Sequence, residues 1–179
     1  SYCVIKNILN KHFKINNLTF FTTGILAEKT PALIKEISKD GNEIACHHYL
    51  QENLLNKSKE DFEKELIKSK ILLSKASEQE ITGYRAPNFC INANIGKYLK
   101  LVFDHFDYDS SIFFDLKNDK DFMEQINRKN KKEYFCYTQN YFFFKKKIRI
   151  KTGGTYFRIL TKKMIKKSLE NAANNEITP

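Results

Sequence analysis

Short apolar segments alternate with amphipathic segments along the first half of this sequence, and this alternation constrains the fold more than any other feature. Residues 18–23 form an apolar run typical of a buried parallel strand. Helical patterns over residues 31–39 and 58–73 separate it from strand-like runs at 43–47 and 81–85. Strand, helix, strand order at this spacing predicts βαβ units in a parallel sheet or barrel, with functional groups at the carboxyl ends of the strands.

Capping residues predict where two of these helices begin. Thr30 is expected to cap a helix that starts at Pro31, because proline at the first helical position loses no hydrogen bond. Ser58 with Asp61 resembles a capping box at the start of the next helix. The apolar face predicted for that second helix comprises Phe62, Leu66, Ile67, Ile71 and Leu73.

The rest of the chain continues the α/β pattern, so we expect one domain over residues 1–179. Residues 133–150 alternate strongly between aromatic and polar side chains, which predicts a β-rich region. The further predicted elements are helices at 4–13, 95–106 and 161–172, strands at 108–113 and from Ile177, and a turn at 153–154.

Composition restricts the classes of function. The chain has 31 basic and 21 acidic side chains, a net charge of +10, which would attract phosphates, anionic lipids or anionic glycans. The lysines are spread along solvated faces and form no basic stripe with stacking aromatics, so no nucleic-acid partner is predicted.

The 4 cysteines contain no CxxC pair, which favours reduced thiols over a zinc knuckle or a disulfide framework. No membrane span and no signal peptide are visible, and we expect a cytoplasmic location.

Polar residues with catalytic potential fall at or just beyond the ends of three predicted strands. These residues are His47, Arg85 and Asp109, and a shared site at the carboxyl edge of a sheet requires this placement. Residue types alone leave simpler alternatives open. Neighbouring His47 and His48 point to opposite faces of a strand, and either can be a buried histidine with a structural hydrogen bond. Arg85 can equally be an ion-paired residue before a turn.

Five segments in a fixed order narrow these alternatives. They are residues 19–21 (TFF), 41–47 (GNEIACH), 83–89 (GYRAPNF), 108–113 (YDSSIF) and 153–160 (GGTYFRIL). This series resembles the polysaccharide deacetylases of carbohydrate esterase family 4, especially the branch associated with bacterial exopolysaccharide and surface-glycan synthesis. Residues 118–150 match the family poorly.

The resemblance implies an α/β fold, a distorted (β/α) barrel in which a divalent metal, usually zinc, is held by one aspartate and two histidines. It implies metal-assisted hydrolysis of N-acetyl groups on a glycan or on a lipid- or nucleotide-linked amino sugar. A second aspartate acts as the base and a late histidine as the acid. The first strand with both aspartates is expected upstream of Ser1, and the closing strand with the acid histidine beyond Pro179.

The family's functional positions fall on particular residues of this chain. His47 falls on the first metal-ligand histidine, whereas Gln51 stands at the second, where a neutral amide oxygen is a weaker zinc ligand than imidazole. His48 is an alternative ligand only if the strand end turns it inward. Arg85 falls on the arginine that steadies the catalytic aspartate, and the backbone N–H of Asn88 falls where the oxyanion is stabilised.

Asp109 falls in a motif that lines the groove, where the resemblance implies a supporting role more than direct catalysis. Two functions therefore remain open. The first is a metal-dependent deacetylase. The second is a catalytically degenerate module that keeps the sugar groove for binding, and it is motivated by Gln51 and by the weak match of residues 118–150. A basic nucleic-acid-binding domain has only the net charge in its favour.

Overall fold

The chain divides into two compact units, residues 1–107 and 108–179, which are described separately below. The expectation of one domain over residues 1–179 stays a prediction. The architecture comes from a computed structural model. It describes residues 2–3, 6–7, 17–93, 95–114, 131–143, 146–151 and 161–174.

Among its described residues the first unit contains three parallel strands, β1 (Thr19–Thr22), β2 (Glu43–Cys46) and β3 (Gly83–Tyr84), and β2 is hydrogen-bonded to both neighbours. Thr19 pairs with Glu43 and Thr22 with Cys46, while Cys46 also pairs with Tyr84. The expected α/β class with parallel strands is confirmed. The elements of this unit are β1 (Thr19–Thr22), α1 (Gly24–Lys29), α2 (Pro31–Lys39), β2 (Glu43–Cys46), α3 (Lys59–Ser77), β3 (Gly83–Tyr84) and α4 (Ile95–His105), with 3-10 turns at Leu54–Asn56 and Pro87–Ala93.

The helix starts partly agree with the capping predictions. Ser58 Oγ accepts a hydrogen bond from the Asp61 amide at 3.0 Å, so the predicted cap of α3 is confirmed. The predicted cap by Thr30 is wrong, because its hydroxyl donates to the carbonyl oxygen of Leu26 at 2.9 Å. The unpredicted helix α1 ends at this residue, and Thr30 closes α1 while Pro31 opens α2.

The buried face of α3 differs from the predicted one. Ile67 and Ile71 are 39% and 62% exposed, so the predicted apolar face is wrong at these two positions. Successive residues of an α-helix are rotated by about 100°, and both isoleucines lie outside the buried stripe. The residues of α3 that face the core are Phe62, Leu66, Ser69, Leu73, Ala76 and Ser77.

The core of the first unit is rich in aromatic rings. Phe62 and Tyr98 lie with their ring centroids 4.8 Å apart, and Tyr84 and Phe106 lie 5.5 Å apart. All four side chains are almost fully buried. The Tyr98 hydroxyl donates to the carbonyl oxygen of Leu54 at 3.0 Å, which satisfies a polar group that burial would otherwise leave unpaired.

The second unit contains β4 (Tyr108–Asp109), β5 (Phe113–Phe114), β6 (Lys132–Glu133), β7 (Cys136–Phe143), β8 (Lys146–Lys151) and α5 (Lys162–Asn174). Strand β4 pairs in parallel with β6, β5 pairs in parallel with β7, and β7 pairs antiparallel with β8. The β-rich region predicted at 133–150 is confirmed. The single strand predicted at 108–113 is instead two short strands, since Ser111 turns back to bind the Asp109 carboxylate.

Several predictions fall on residues outside the described part of the chain. Residues 2–3 and 6–7 are helical, but most of the helix predicted at 4–13 lies outside the described residues. The same holds for the turn at 153–154 and the strand from Ile177. Among the helices that the structure describes, none has both the length and the apolar character needed to cross a bilayer.

Candidate functional site

His47 follows β2 directly, and its ring is oriented by the chain after β3. Its backbone N–H donates to the Thr22 carbonyl at 2.8 Å, which continues the β1–β2 pairing by one residue. Its Nδ1 lies 2.7 Å from the carbonyl oxygen of Arg85. A carbonyl oxygen only accepts, so Nδ1 carries the ring proton and Nε2 carries the lone pair. Burial lowers the pKa of His47, which keeps the ring neutral and able to bind a metal through Nε2.

Gln51 lies beside His47 and reaches across to the turn after β3. Its Nε2 donates to the Asn88 side-chain oxygen at 3.3 Å. A hydrogen bond between the side chains of Gln51 and His47 partly opposes the effect of burial on the histidine pKa. The structure thus brings His47, Gln51 and Asn88 together, and their functional roles stay predictions. The group is electrically neutral.

Arg85 supplies the positive charge next to this group. Its backbone N–H donates to the Cys46 carbonyl at 2.9 Å, so the residue extends β3 alongside β2. Its guanidinium carbon lies 4.1 Å from the ring centroid of Phe21 and 5.7 Å from that of Phe89. Contacts of a guanidinium with two aromatic faces restrict its orientation and stabilise the charge. Arg85 also contributes to the lowered pKa of His47 through charge repulsion.

The turn at residues 87–89 has an unusual backbone. Asn88 and Phe89 have φ angles of 53° and 53°, two consecutive non-glycine residues in the left-handed region. Asparagine tolerates this conformation, whereas for phenylalanine it costs on the order of 1 kcal/mol or more. The Phe89 N–H donates to the Ala86 carbonyl at 3.1 Å and closes the turn. Nothing in the local sequence predicted the strained phenylalanine.

The structure places His48 in the core and away from the group formed by His47, Gln51 and Asn88. The residue is 0% exposed and has a φ of 63°. Its ring stacks on Phe62 with centroids 4.9 Å apart. Burial, with the nearby charge of Lys57, lowers the pKa of His48 to about 3.

Asp109 belongs to the second unit, where it is fully buried. Its two carboxylate oxygens accept hydrogen bonds from the Ser111 amide at 2.9 Å and the Ser111 hydroxyl at 2.6 Å. Glu133 stands opposite Asp109 in the β4–β6 register and accepts from the Ile112 amide at 3.2 Å. Burial raises the pKa of both carboxyl groups, and the charge of Asp109 raises that of Glu133 further. Sequence reasoning missed Glu133, because only the strand pairing brings it to Asp109.

The residues of the first unit fit a metal ion only in part. The tautomer and neutrality of His47 suit a zinc ligand, as in sites where a carbonyl orients the coordinating imidazole. Gln51 offers a neutral oxygen donor. Among the residues that the structure describes, no group of three or more His, Cys, Asp and Glu side chains could hold a metal. The described donors therefore supply one strong ligand and do not complete a site.

Comparison with known proteins places this arrangement in a family context. The family model described as polysaccharide deacetylase matches residues 5–102, which is more than half of the chain. No protein of curated function matches the sequence.

Solved structures similar to the chain include a candidate polysaccharide deacetylase from Mycobacterium smegmatis, with 33% identity and a TM-score of 0.52. This match covers 60% of the present chain and 36% of the other. A peptidoglycan N-acetylglucosamine deacetylase matches at 25% identity with a TM-score of 0.50, covering 57% of this chain and 46% of that one.

A family 4 carbohydrate esterase pseudoenzyme from Bacillus anthracis is similar at 23% identity with a TM-score of 0.50, covering 56% and 34% of the two chains. At this identity the likeness shows the fold alone. In all three matches the present chain spans less than half of the other protein's length. The likeness confirms the polysaccharide deacetylase type of fold over the part that the matches cover.

Proposed function

Because this chain belongs to the polysaccharide deacetylase family, we propose that it contributes to metal-dependent hydrolysis of N-acetyl groups on a glycan or an activated amino sugar. The observation that carries the proposal is the contact of His47 Nδ1 with the Arg85 carbonyl at 2.7 Å. This contact leaves Nε2 unprotonated, so its lone pair is available to a metal at the position where the family has a metal ligand. A divalent metal such as zinc would supply Lewis acidity toward the acetamide carbonyl when bound.

The other residues of the group would position the substrate. The backbone N–H of Asn88 is proposed as the donor to the oxygen on which negative charge develops, and its strained turn holds that amide in place. Arg85, restrained by Phe21 and Phe89, would orient a carboxylate by a charged hydrogen bond. Asp109 belongs to the second unit, where Ser111 donates two hydrogen bonds to its carboxylate, and its supporting role stays a prediction.

The biological setting is also part of the proposal. We place the reaction in bacterial surface polysaccharide metabolism, on a polymer or on a lipid- or nucleotide-linked amino sugar in the cytoplasm. The 4 cysteines are free, which is compatible with a reducing compartment. The peptidoglycan deacetylase among the similar structures supports an N-acetylated sugar as the substrate class.

A second candidate function is carbohydrate binding without hydrolysis. The observation that favours it is the Gln51 amide, which donates to Asn88 at 3.3 Å where the family has an imidazole. An amide oxygen binds zinc more weakly than a histidine nitrogen, and neutral amides are suited to hydrogen bonding with sugar hydroxyl groups. The deacetylase scaffold would then serve as a sugar-binding surface.

Metal content and acetate release distinguish the two functions. The full-length protein is loaded with Zn²⁺ or Co²⁺, its metal content is measured after dialysis, and acetate release from chitooligosaccharides is followed. Stoichiometric metal and measurable acetate support the hydrolase. Sugar binding by a protein that holds no metal and releases no acetate supports the second function.

The variant Gln51→His locates the defect if the natural protein is inactive. We expect metal affinity to rise by about tenfold or more, because an imidazole replaces a weak oxygen donor. Leu50→His is the matched control, since it adds the same imidazole one residue earlier at a site that is 38% exposed. An equal gain in both variants would contradict a specific ligand position at residue 51.

A further inference from the structure

The buried ring of His48 contacts two aromatic side chains of the core. Its face stacks on Phe62, and its edge meets the ring of Tyr84 at a centroid distance of 6.2 Å. The Tyr84 hydroxyl forms a hydrogen bond with His48 Nδ1 at 3.3 Å. The ring thus joins the loop after β2 to two elements of the core, helix α3 and strand β3.

The second ring nitrogen faces a cluster of charged side chains. His48 Nε2 lies 3.1 Å from Glu65 Oε2, although outside hydrogen-bonding geometry. Glu65 also accepts from Lys57 Nζ at 2.6 Å, and Lys57 forms an ion pair with Glu52 at 3.0 Å. Two residues of the segment between β2 and α3, His48 and Lys57, therefore meet one carboxylate of α3.

The backbone carbonyl groups of His48 and Tyr49 also form hydrogen bonds, with the start of α1. The His48 carbonyl accepts from the Gly24 amide at 2.8 Å, and the Tyr49 carbonyl accepts from the Ile25 amide at 3.1 Å. These bonds satisfy amides of the first turn of α1, which lack partners within the helix. The left-handed φ of 63° allows the His48 carbonyl to face α1 while the ring enters the core.

We propose that His48 is a positioning residue whose buried ring holds the loop after β2 in the conformation that directs His47 Nδ1 to the Arg85 carbonyl. The His48 ring contacts Tyr84, and the next residue, Arg85, supplies the carbonyl oxygen at His47 Nδ1. A displaced loop would also move Gln51, whose side chain forms a hydrogen bond with that of His47. A non-glycine residue released from its contacts leaves the left-handed region for the more stable extended region. The orientation of His47 Nε2 therefore depends on contacts made by the next residue.

The positioning role of His48 rests on the proposed function only in one respect, namely that His47 Nε2 binds a metal. The proton on His47 Nδ1 is a property of the metal-free chain, since the Arg85 carbonyl can only accept. This separates the two ideas experimentally. One readout reports the orientation of His47 without any metal, and another reports metal binding.

The test compares His48→Asn with the natural chain. Asparagine lacks the ring that contacts Phe62 and Tyr84, and the left-handed conformation still costs it more than the extended one once those contacts are gone. Its partial tolerance of the left-handed backbone favours folding of the variant. Ring ¹⁵N shifts of His47 are measured at a mildly alkaline pH, where the neutral tautomers are distinguished. We expect the Nδ1–H tautomer to dominate in the natural chain and to fall toward a mixture in His48→Asn. Affinity for Co²⁺, measured by titration in the full-length protein, is expected to fall by about tenfold or more.

Two further variants serve as reserve and control. Tyr84→Phe removes only the hydroxyl at His48 Nδ1, so it is expected to fold and to show a smaller change of the same sign. If circular dichroism shows that His48→Asn is unfolded, the His47 tautomer measured in Tyr84→Phe tests the positioning role instead. Tyr49→Phe removes the neighbouring contact of the Tyr49 hydroxyl with Glu28 at 2.6 Å and should leave the His47 tautomer unchanged.

The outcomes separate the inference from the proposed function. An unchanged His47 tautomer in folded His48→Asn and Tyr84→Phe overturns the positioning role, whatever their stability. A changed tautomer with no Co²⁺ binding by any variant supports the positioning role and contradicts the metal-dependent function. A changed tautomer together with weakened Co²⁺ binding supports both.

Discussion

Replacing Gly24 with alanine is expected to destabilise the first unit, because the added methyl group meets the backbone of α3. A Cβ at this position would lie 2.8 Å from Ser69 Oγ, 2.9 Å from Tyr49 Cδ2 and 3.0 Å from the α-carbon of Ser69. The tyrosine ring and the serine hydroxyl can move by rotation. The α-carbon of Ser69 cannot move unless α3 shifts as a whole.

The magnitude follows from these distances. Carbon atoms in contact prefer separations of about 3.5–4.0 Å, so α1 and α3 must separate by about 0.5 Å. Overpacking of this kind costs about 1–3 kcal/mol. Because Gly24 is the first residue of α1, alanine recovers at most about 0.5 kcal/mol, less than it would in the middle of a helix. The net loss is therefore about 0.5–3 kcal/mol. Each kcal/mol lowers Tm by about 2–4 °C in a chain of this size.

Urea unfolding followed by tyrosine emission and circular dichroism measures this loss, since the chain has no tryptophan. Adding Ser69→Ala to Gly24→Ala should restore only part of the stability, because it removes the clash with the hydroxyl and leaves the helix backbone where it was. Ala32→Gly at an exposed position of α2 calibrates helix propensity in this chain. A neutral or stabilising Gly24→Ala, or full recovery in the double variant, would refute the reasoning.

Three further predictions concern buried polar groups and a helix cap. Burial and the charge of Asp109 raise the pKa of Glu133, so the folded chain binds this proton more tightly than the unfolded chain. Its stabilising effect is present below the ordinary carboxyl pKa and is lost as pH rises through the raised value. Glu133→Gln should reduce that decline in a series of urea midpoints from about pH 4 to about pH 8, with the remainder due to Asp109, whose pKa burial also raises, and an unchanged decline would assign it elsewhere. Tyr98→Phe removes the 3.0 Å hydrogen bond to the Leu54 carbonyl, which keeps its 3.1 Å bond from the Lys57 amide, so it should cost only about 0.5–1.5 kcal/mol in urea unfolding, whereas no loss would mean that this hydroxyl does not stabilise the core. Ser58→Ala removes the cap of α3 and should cost about 1 kcal/mol, while Ser58→Asp should retain most of the stability because aspartate also caps.

Local patterns predicted most elements of the fold but not their buried faces. The cap at Ser58 and the helix that follows depend on neighbouring residues, and both were predicted correctly. The six-residue helix α1 was missed, because so short a segment shows too little periodicity. Ile67 and Ile71 were placed on the apolar face of α3, yet the face that packs is decided by where α1, α2 and β2 lie.

The candidate site residues also differ in whether the sequence or only the structure revealed them. The order of the motifs identified His47, Gln51, Arg85 and Asn88, and the structure brings all four to one end of the strands in the first unit. The strand pairing that places Glu133 beside Asp109 could not be read from the sequence, because the two residues are far apart along the chain.

The sequence by itself determined the alternation of strands and helices, the polar residues after the strands and the family to which the chain belongs. These depend on residue spacing and motif order, which are local or linear properties. Only the tertiary structure decided that His47 donates to a carbonyl while His48 enters the core. The two adjacent histidines point to different surroundings because of contacts with α3 and β3. Such contacts exist only once those elements have packed.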